Sequence, residues 1–196
     1  SQVDAPASSR RFLIFSASVV ASGALFAGLV LWWLPPTNHN NLVLTAVLLT
    51  LGFLLAEQLA INIDIRGGVS WTISFTEIPL AIGLFVAPFP LVLAAQLVAA
   101  VGTHLAKGVQ DRALYNAGVF TIEITSAFAV MRLFELALDG GPAWLGVLAG
   151  ALVAPLSSTL LALVCLYNLG RPMRIGSSVV LVARTLVLGL VNASVG

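Results

Sequence analysis

Charged side chains are scarce in this sequence. Asp, Glu, Lys and Arg together make up 9% of its 196 residues, against roughly 25% in an ordinary soluble domain. So few charges cannot cover a water-facing surface, whereas an exterior that faces lipid needs almost none. The charge balance is also slight. A net charge of +1 gives no electrostatic footprint for nucleic acid. The single cysteine, Cys165, excludes an internal disulfide framework and a multi-cysteine zinc site. It reads as a small apolar packing residue. H-E-x-x-H, the P-loop, G-x-S-x-G and the dinucleotide glycine fingerprint are all missing. The residues present therefore give no direct sign of an enzyme, and no cofactor can be named from them.

What the chain has in quantity is apolar sequence, 59% of its residues. A helix needs about 20 apolar residues to cross the hydrocarbon of a bilayer, at about 1.5 Å per residue. Apolar runs of that order cover 12–34, 42–63, 73–87, 89–106, 114–137, 143–168 and 177–196. The first, 23 positions long, exceeds the roughly 7–15 of a signal-peptide core and reads as a retained span. Breakers divide the runs: Pro35–Pro36, Arg66–Gly67–Gly68, Pro88–Phe89–Pro90, Gly140–Gly141–Pro142 and Gly170–Arg171–Pro172. The predicted fold is all-α, a polytopic transmembrane bundle of about six or seven spans. Its short third and fourth segments form a proline-broken helical hairpin that need not cross fully. The last run ends without a polar tail, so the chain is expected to continue beyond Gly196.

The basic residues orient this bundle. With the N-terminus inside, Arg10, Arg11, Arg66, Lys107, Arg112, Arg171 and Arg174 all fall on the inner side, and the outer loops at 35–41, 88 and 138–142 hold no Lys or Arg. The positive-inside rule then predicts a multi-pass protein of the cell membrane with a cytoplasmic N-terminus. The aromatic residues agree. Trp32, Trp33 and Trp144 fall at predicted outer ends, and Trp71, Tyr115 and Tyr167 at inner ends, where amphipathic rings are favoured.

Ionisable groups at bilayer depth are costly, so each is a candidate for function. Glu57, Glu77 and Glu123 all fall in the inner half, with His104, Lys107 and Arg184 available to balance them. Asn116, Glu123 and Ser126 share one helical face, as do Gln96, Thr103 and Lys107. Such faces should turn inward, where interhelical hydrogen bonds are the default reading for the neutral groups, Asn62 and Gln58 among them. His104 reads as a packed or interfacial imidazole, with a ligand or proton-transfer role as the rival. For Glu57, Glu77 and Glu123, ligand contact and structural pairing both stay open. Arg132 and Glu135, three residues apart near an outer end, read as a structural ion pair. Ser157–Ser158–Thr159 after Pro155 reads as hydroxyls serving the carbonyl that the proline frees.

One stretch has a further resemblance. Glu57, the Gly67–Gly68 turn, Ser74-Phe75-Thr76-Glu77-Ile78-Pro79-Leu80-Ala81-Ile82-Gly83-Leu84-Phe85, Pro88 and Pro90, Lys107 and Tyr115-Asn116 are similar to a conserved-looking pattern in one protein family. The pattern resembles the N-terminal membrane region of bacterial, mainly actinobacterial, GGDEF/EAL cyclic-di-GMP signalling proteins, with Tyr115 in place of the usual Phe. It covers roughly residues 50–135. The resemblance implies a sensory or anchoring input region, cytoplasmic synthase and phosphodiesterase domains after it, and a homodimer. A small-molecule or lipid ligand would then meet Glu57, Glu77, Asn116, Glu123 and His104. The rival reading is a small-molecule transporter or its membrane-embedded substrate-binding subunit, which has a similar length and span number. The predicted orientation is tested by a reporter fused after Gln110: it should read cytoplasmic, and a periplasmic signal would overturn the topology.

Overall fold

A peptide group in hydrocarbon can find hydrogen bonds only within its own segment or a closed sheet, which is why the apolar runs become helices. The computed structural model describes residues 5–35, 41–59, 61–65, 69–73, 75–106, 110–139, 142–168, 176, 178–183 and 185–187. Its helices are α1 (Ala5–Trp33), α2 (Leu42–Gln58), α3 (Glu77–Val86), α4 (Phe89–Ala106), α5 (Gln110–Ala137) and α6 (Ala143–Asn168). A further short apolar helix runs over Ser178–Val187. Four stretches, Arg10–Trp33, Phe89–Ala106, Ala113–Ala137 and Ala143–Asn168, are long and apolar enough to cross a membrane. The exterior matches that environment. Leu25 is 69% exposed and Val43 80%, a surface that would drive aggregation in water and that lipid solvates.

Successive helices reverse direction. Residues 31–35, 84–90 and 128–135 gather at one end of the bundle, around a common cavity. At the opposite end Phe12 and Phe15 of α1 lie against Tyr115 of α5, with ring centroids 5.8 and 6.1 Å apart. These are the Trp32 end and the Arg10 end.

Two sequence expectations change. The second run does not stay helical to residue 63. α2 stops at Gln58, and a two-stranded antiparallel hairpin follows, β1 (Ile61–Ile65) with β2 (Val69–Ile73), in the register Ile61↔Ile73, Ile63↔Trp71 and Ile65↔Val69. The reason is local: Ile-Asn-Ile-Asp-Ile and Val-Ser-Trp-Thr-Ile alternate apolar and polar residues with the period of a strand, on either side of Gly67–Gly68. The third run also shortens. α3 begins at Glu77 and has 10 residues, about 15 Å of helix or half the hydrocarbon thickness. It stops because Pro88 follows. The residue before a proline is pushed out of the helical region, and Ala87 is extended at φ −137°, ψ 148°. The predicted short hairpin is therefore uneven: α3 covers half the bilayer, and α4, with 18 residues, covers nearly all of it. The expected last span, 177–196, extends past Val187 into residues outside those described.

α5 is the hub. It packs against α1, α4 and α6, while α2 packs on α4, and α3 lies against α6 and α2. Small residues let these helices approach. A Cβ on Gly118 would lie 2.9 Å from the Val20 backbone nitrogen of α1, and one on Gly150 would lie 2.6 Å from the Ala127 carbonyl oxygen of α5. Gly146 and Gly150, four apart, put the close contact on one face of α6. The shut core is mainly small: Ala99, Ala127 and Ala151 are fully buried beside Phe53, Val92 and Ile124. Phe89 meets Phe128 edge-on at 5.3 Å.

Hydroxyls inside the bundle return to the backbone. Ser16 donates to the Phe12 carbonyl at 2.8 Å and Thr125 to that of Thr121 at 2.6 Å. Around Pro155 the pattern differs from expectation. Ser157 donates to Ala154 at 2.7 Å, and Thr159 to Pro155 at 2.8 Å. These are carbonyls of the same turn, rather than the Ala151 carbonyl that the proline ring deprives of a donor.

The glycine contacts predict an asymmetry. Gly150→Ala should lower unfolding stability in detergent by about 1 kcal/mol or more, because overpacking against backbone outweighs the gain in helix propensity. Gly28→Ala, which enters open space, should be neutral or stabilising by up to about 1 kcal/mol. Equal stability of the two variants would contradict the close α5–α6 approach.

Candidate functional site

Three helices bring carboxyl groups into the bundle. Glu123 is at the middle of α5 (Gln110–Ala137). Glu77 is in the first turn of α3, and because α3 is half-length, that turn lies at membrane depth. The positive dipole end of a helix suits a carboxylate there. Glu57 is the penultimate residue of α2, in its last turn, closer to the helix end than the longer predicted span implied.

These groups converge. Glu77 and Glu123 line one small cavity together with Thr76, Leu80, Gln96, Ile124, Ala154 and Pro155. Gln96, only 3% exposed, supplies the neutral polar group of α4. The Ser158 hydroxyl of α6 is within hydrogen-bonding reach of the Glu123 carboxyl, and Glu77 and Glu57 are near enough for their charges to act on it. The single Ser158 proton serves either Glu123 or the Pro155 carbonyl at 3.1 Å. Helices α3 to α6 thus each contribute a side chain or a wall to one polar node, and Glu57 of α2 acts on it only through its charge. Its free volume is about 10 Å³, room for about one water molecule. In this packing the node can pass a proton or hold a water, and a larger ligand would have to part the helices. Among the described residues no group of three or more His, Cys, Asp or Glu side chains could hold a metal ion.

His104 and Asn116 do not join that node. They form their own pair between α4 and α5, about two helical turns nearer the Arg10 end. His104 Nδ1 lies 2.8 Å from the Ala100 carbonyl, and its Nε2 lies 2.6 Å from the Asn116 amide nitrogen. A carbonyl only accepts, so Nδ1 carries the hydrogen. Nε2 then accepts from the Asn116 amide nitrogen. Next to His104 on α4, the Thr103 hydroxyl is buried with no partner among the described residues. Arg132 and Glu135 pair on α5 at the Trp32 end, with Nη1 donating to Oε2 at 3.0 Å. Lys107 and Arg184, expected as counter-charges, lie outside the described residues.

Sequence reasoning named Glu57, Glu77, Glu123 and Gln96, but it assigned Ser158 to the backbone alone. The only signal for its second role is its position one turn past Pro155. No protein-family pattern matches this chain, and no curated protein or solved structure is similar to it.

The His104 geometry predicts an unusual tautomer. Nitrogen-15 NMR of histidine-labelled protein should show Nδ1 protonated and Nε2 bare, with Asn116→Ala shifting the Nε2 resonance. A protonated Nε2 in the unmodified protein would contradict the pair.

Proposed function

We propose that the chain is a membrane-embedded input domain of a bacterial signalling protein. In this reading it sits in the cell membrane with its N-terminus in the cytoplasm, crosses six or seven times, works as a homodimer, and controls cyclic-di-GMP synthesis or hydrolysis domains that follow it. What supports this is where the residues of the resemblance fall. Glu77 lines the polar node, and the charge of Glu57 acts on it. Pro79 packs on Gly52, where an added Cβ would lie 3.2 Å away, and Gly83 admits Val92, where a Cβ would lie 3.0 Å from Cγ2. Asn116 holds His104. Pro79, Gly83 and Asn116 thus each have a packing or hydrogen-bonding task at the junction of α2, α3, α4 and α5.

The observation that carries the mechanism is the node's lack of space. A receptor of the lock-and-key kind keeps a preformed pocket of several hundred Å³. A node with room for about one water responds instead by repacking. A proton, an ion or a ligand group that favours one arrangement of Glu57, Glu77 and Glu123 shifts the helices toward that arrangement, and only by its difference in affinity for the two states. A transporter's substrate-binding subunit would need a substrate-sized cavity at its midplane carboxylates, and the cavity that Glu77 and Glu123 line is about 10 Å³.

In the full-length protein, Glu57→Gln, Glu77→Gln and Glu123→Gln should each change cellular cyclic-di-GMP by about threefold or more, the effect of roughly 0.6–1 kcal/mol on a two-state balance. Wild-type output from all three variants would end the switching role. A gene whose reading frame lacks GGDEF and EAL domains after this region would instead end the output assignment and leave the node untouched.

A further inference from the structure

The Trp32 end holds a second feature that the carboxylate node does not use. A cavity of about 700 Å³ opens between the end of α1, the α3–α4 turn and the last turns of α5. Trp32, Phe85, Phe128 and Met131 give it apolar walls, and Arg132 and Glu135 form its polar edge. The volume is that of a pocket for a ligand of several hundred daltons. It arises because α3 turns back at Pro88 while α1 and α5 continue.

The edge is specific. Arg132 spends Nη1 on Glu135 at 3.0 Å, while its Nε is buried with no acceptor among the described residues. The Arg132 side chain is 29% exposed and lines the cavity, so guanidinium N–H groups beyond the one given to Glu135 are open to an acceptor there. Guanidinium groups match phosphate oxygens in geometry as well as charge. Glu135, 38% exposed in its side chain, cancels the local positive charge and offers its remaining carboxylate lone pairs to a cation. The pocket edge thus carries one positive and one negative group a helical turn apart. The depth is that of the bilayer interface, where Trp32 is 88% and Trp144 56% exposed.

We infer that this cavity binds one zwitterionic phospholipid with a primary ammonium head. An acyl chain fills the space between α1 and α5, the phosphate accepts from the exposed edge of the Arg132 guanidinium, and the ammonium donates to Glu135. Charge complementarity selects this lipid. An anionic head such as phosphoglycerol brings the phosphate but no cation to balance Glu135, and a trimethylated head cannot donate a hydrogen bond to it. The inference is independent of the signalling reading and of the carboxylate node.

The test is native mass spectrometry of the full chain in detergent, supplemented in turn with palmitoyl-oleoyl phosphatidylethanolamine, phosphatidylcholine and phosphatidylglycerol. One phosphatidylethanolamine should remain bound per chain, in preference to either other lipid by about tenfold, the worth of one charged hydrogen bond. Glu135→Gln should abolish the preference while the phosphate contact keeps some binding. Met131→Trp, which fills the cavity and leaves the ion pair, should remove retention. Thermal unfolding without added lipid checks that both variants fold. Equal retention of the three lipids would overturn the head-group assignment. Retention by Met131→Trp equal to that of the unmodified chain would overturn the site.

Discussion

Hydrocarbon offers no hydrogen-bond partner, so every polar group in this chain must be satisfied by the chain itself or be kept away from lipid. Much of the structure follows from that constraint. The backbone becomes helix wherever the run is long. Ser16, Thr121, Thr125 and Thr159 turn their hydroxyls back to carbonyls in the preceding turn. Glu123 stays at mid-helix because its neighbours close around it. Gly118 lets α1 approach α5, and Gly146 and Gly150 let α6 do so from another side. Without those contacts α5 would present a carboxyl group to lipid.

The same constraint explains why α3 matters more than its length suggests. α3 begins at half depth with few N–H groups to satisfy, since Pro79 has none and Ile78 and Leu80 donate to the Phe75 and Thr76 carbonyls, and Glu77 in its first turn joins Glu123 and Gln96. Pro88 ends α3 at the Trp32 end and fixes the turn into α4. One short helix thereby shapes both ends of the molecule: a tight polar node where it starts and an apolar cavity where it stops. The node has no room for a ligand and the cavity has, so a response centred on the node has to be a movement of helices.

Much of this was legible in the residues. The apolar run closed by Gly140–Gly141–Pro142 and Gly170–Arg171–Pro172 marks α6 at its observed ends, 143–168. Glutamates in otherwise uncharged runs announce themselves as buried carboxyls. The hairpin at Ile61–Ile65 and Val69–Ile73 was legible in principle, through its period-two alternation, but overall apolarity masks that signal in a membrane protein. The spacing of Gly146 and Gly150 is visible, while the helix they admit is not. Convergence is a tertiary property. Nothing in the spacing of Glu57, Glu77 and Glu123 says that they meet while His104 and Asn116 form a separate pair two turns away. The cavity beside Arg132 depends on where α3 stops relative to α1 and α5, which no single segment encodes.

The central claim is that Glu77 and Glu123, 46 residues apart in sequence, share one tight polar node. A double-mutant cycle on unfolding in detergent, with Glu77→Gln, Glu123→Gln and the double variant, measures that contact directly. Groups in one network couple by about 0.5–3 kcal/mol, whereas separated sites add to within roughly 0.3–0.5 kcal/mol. The structure predicts coupling in the first range. Strict additivity would mean that the two carboxyls do not meet.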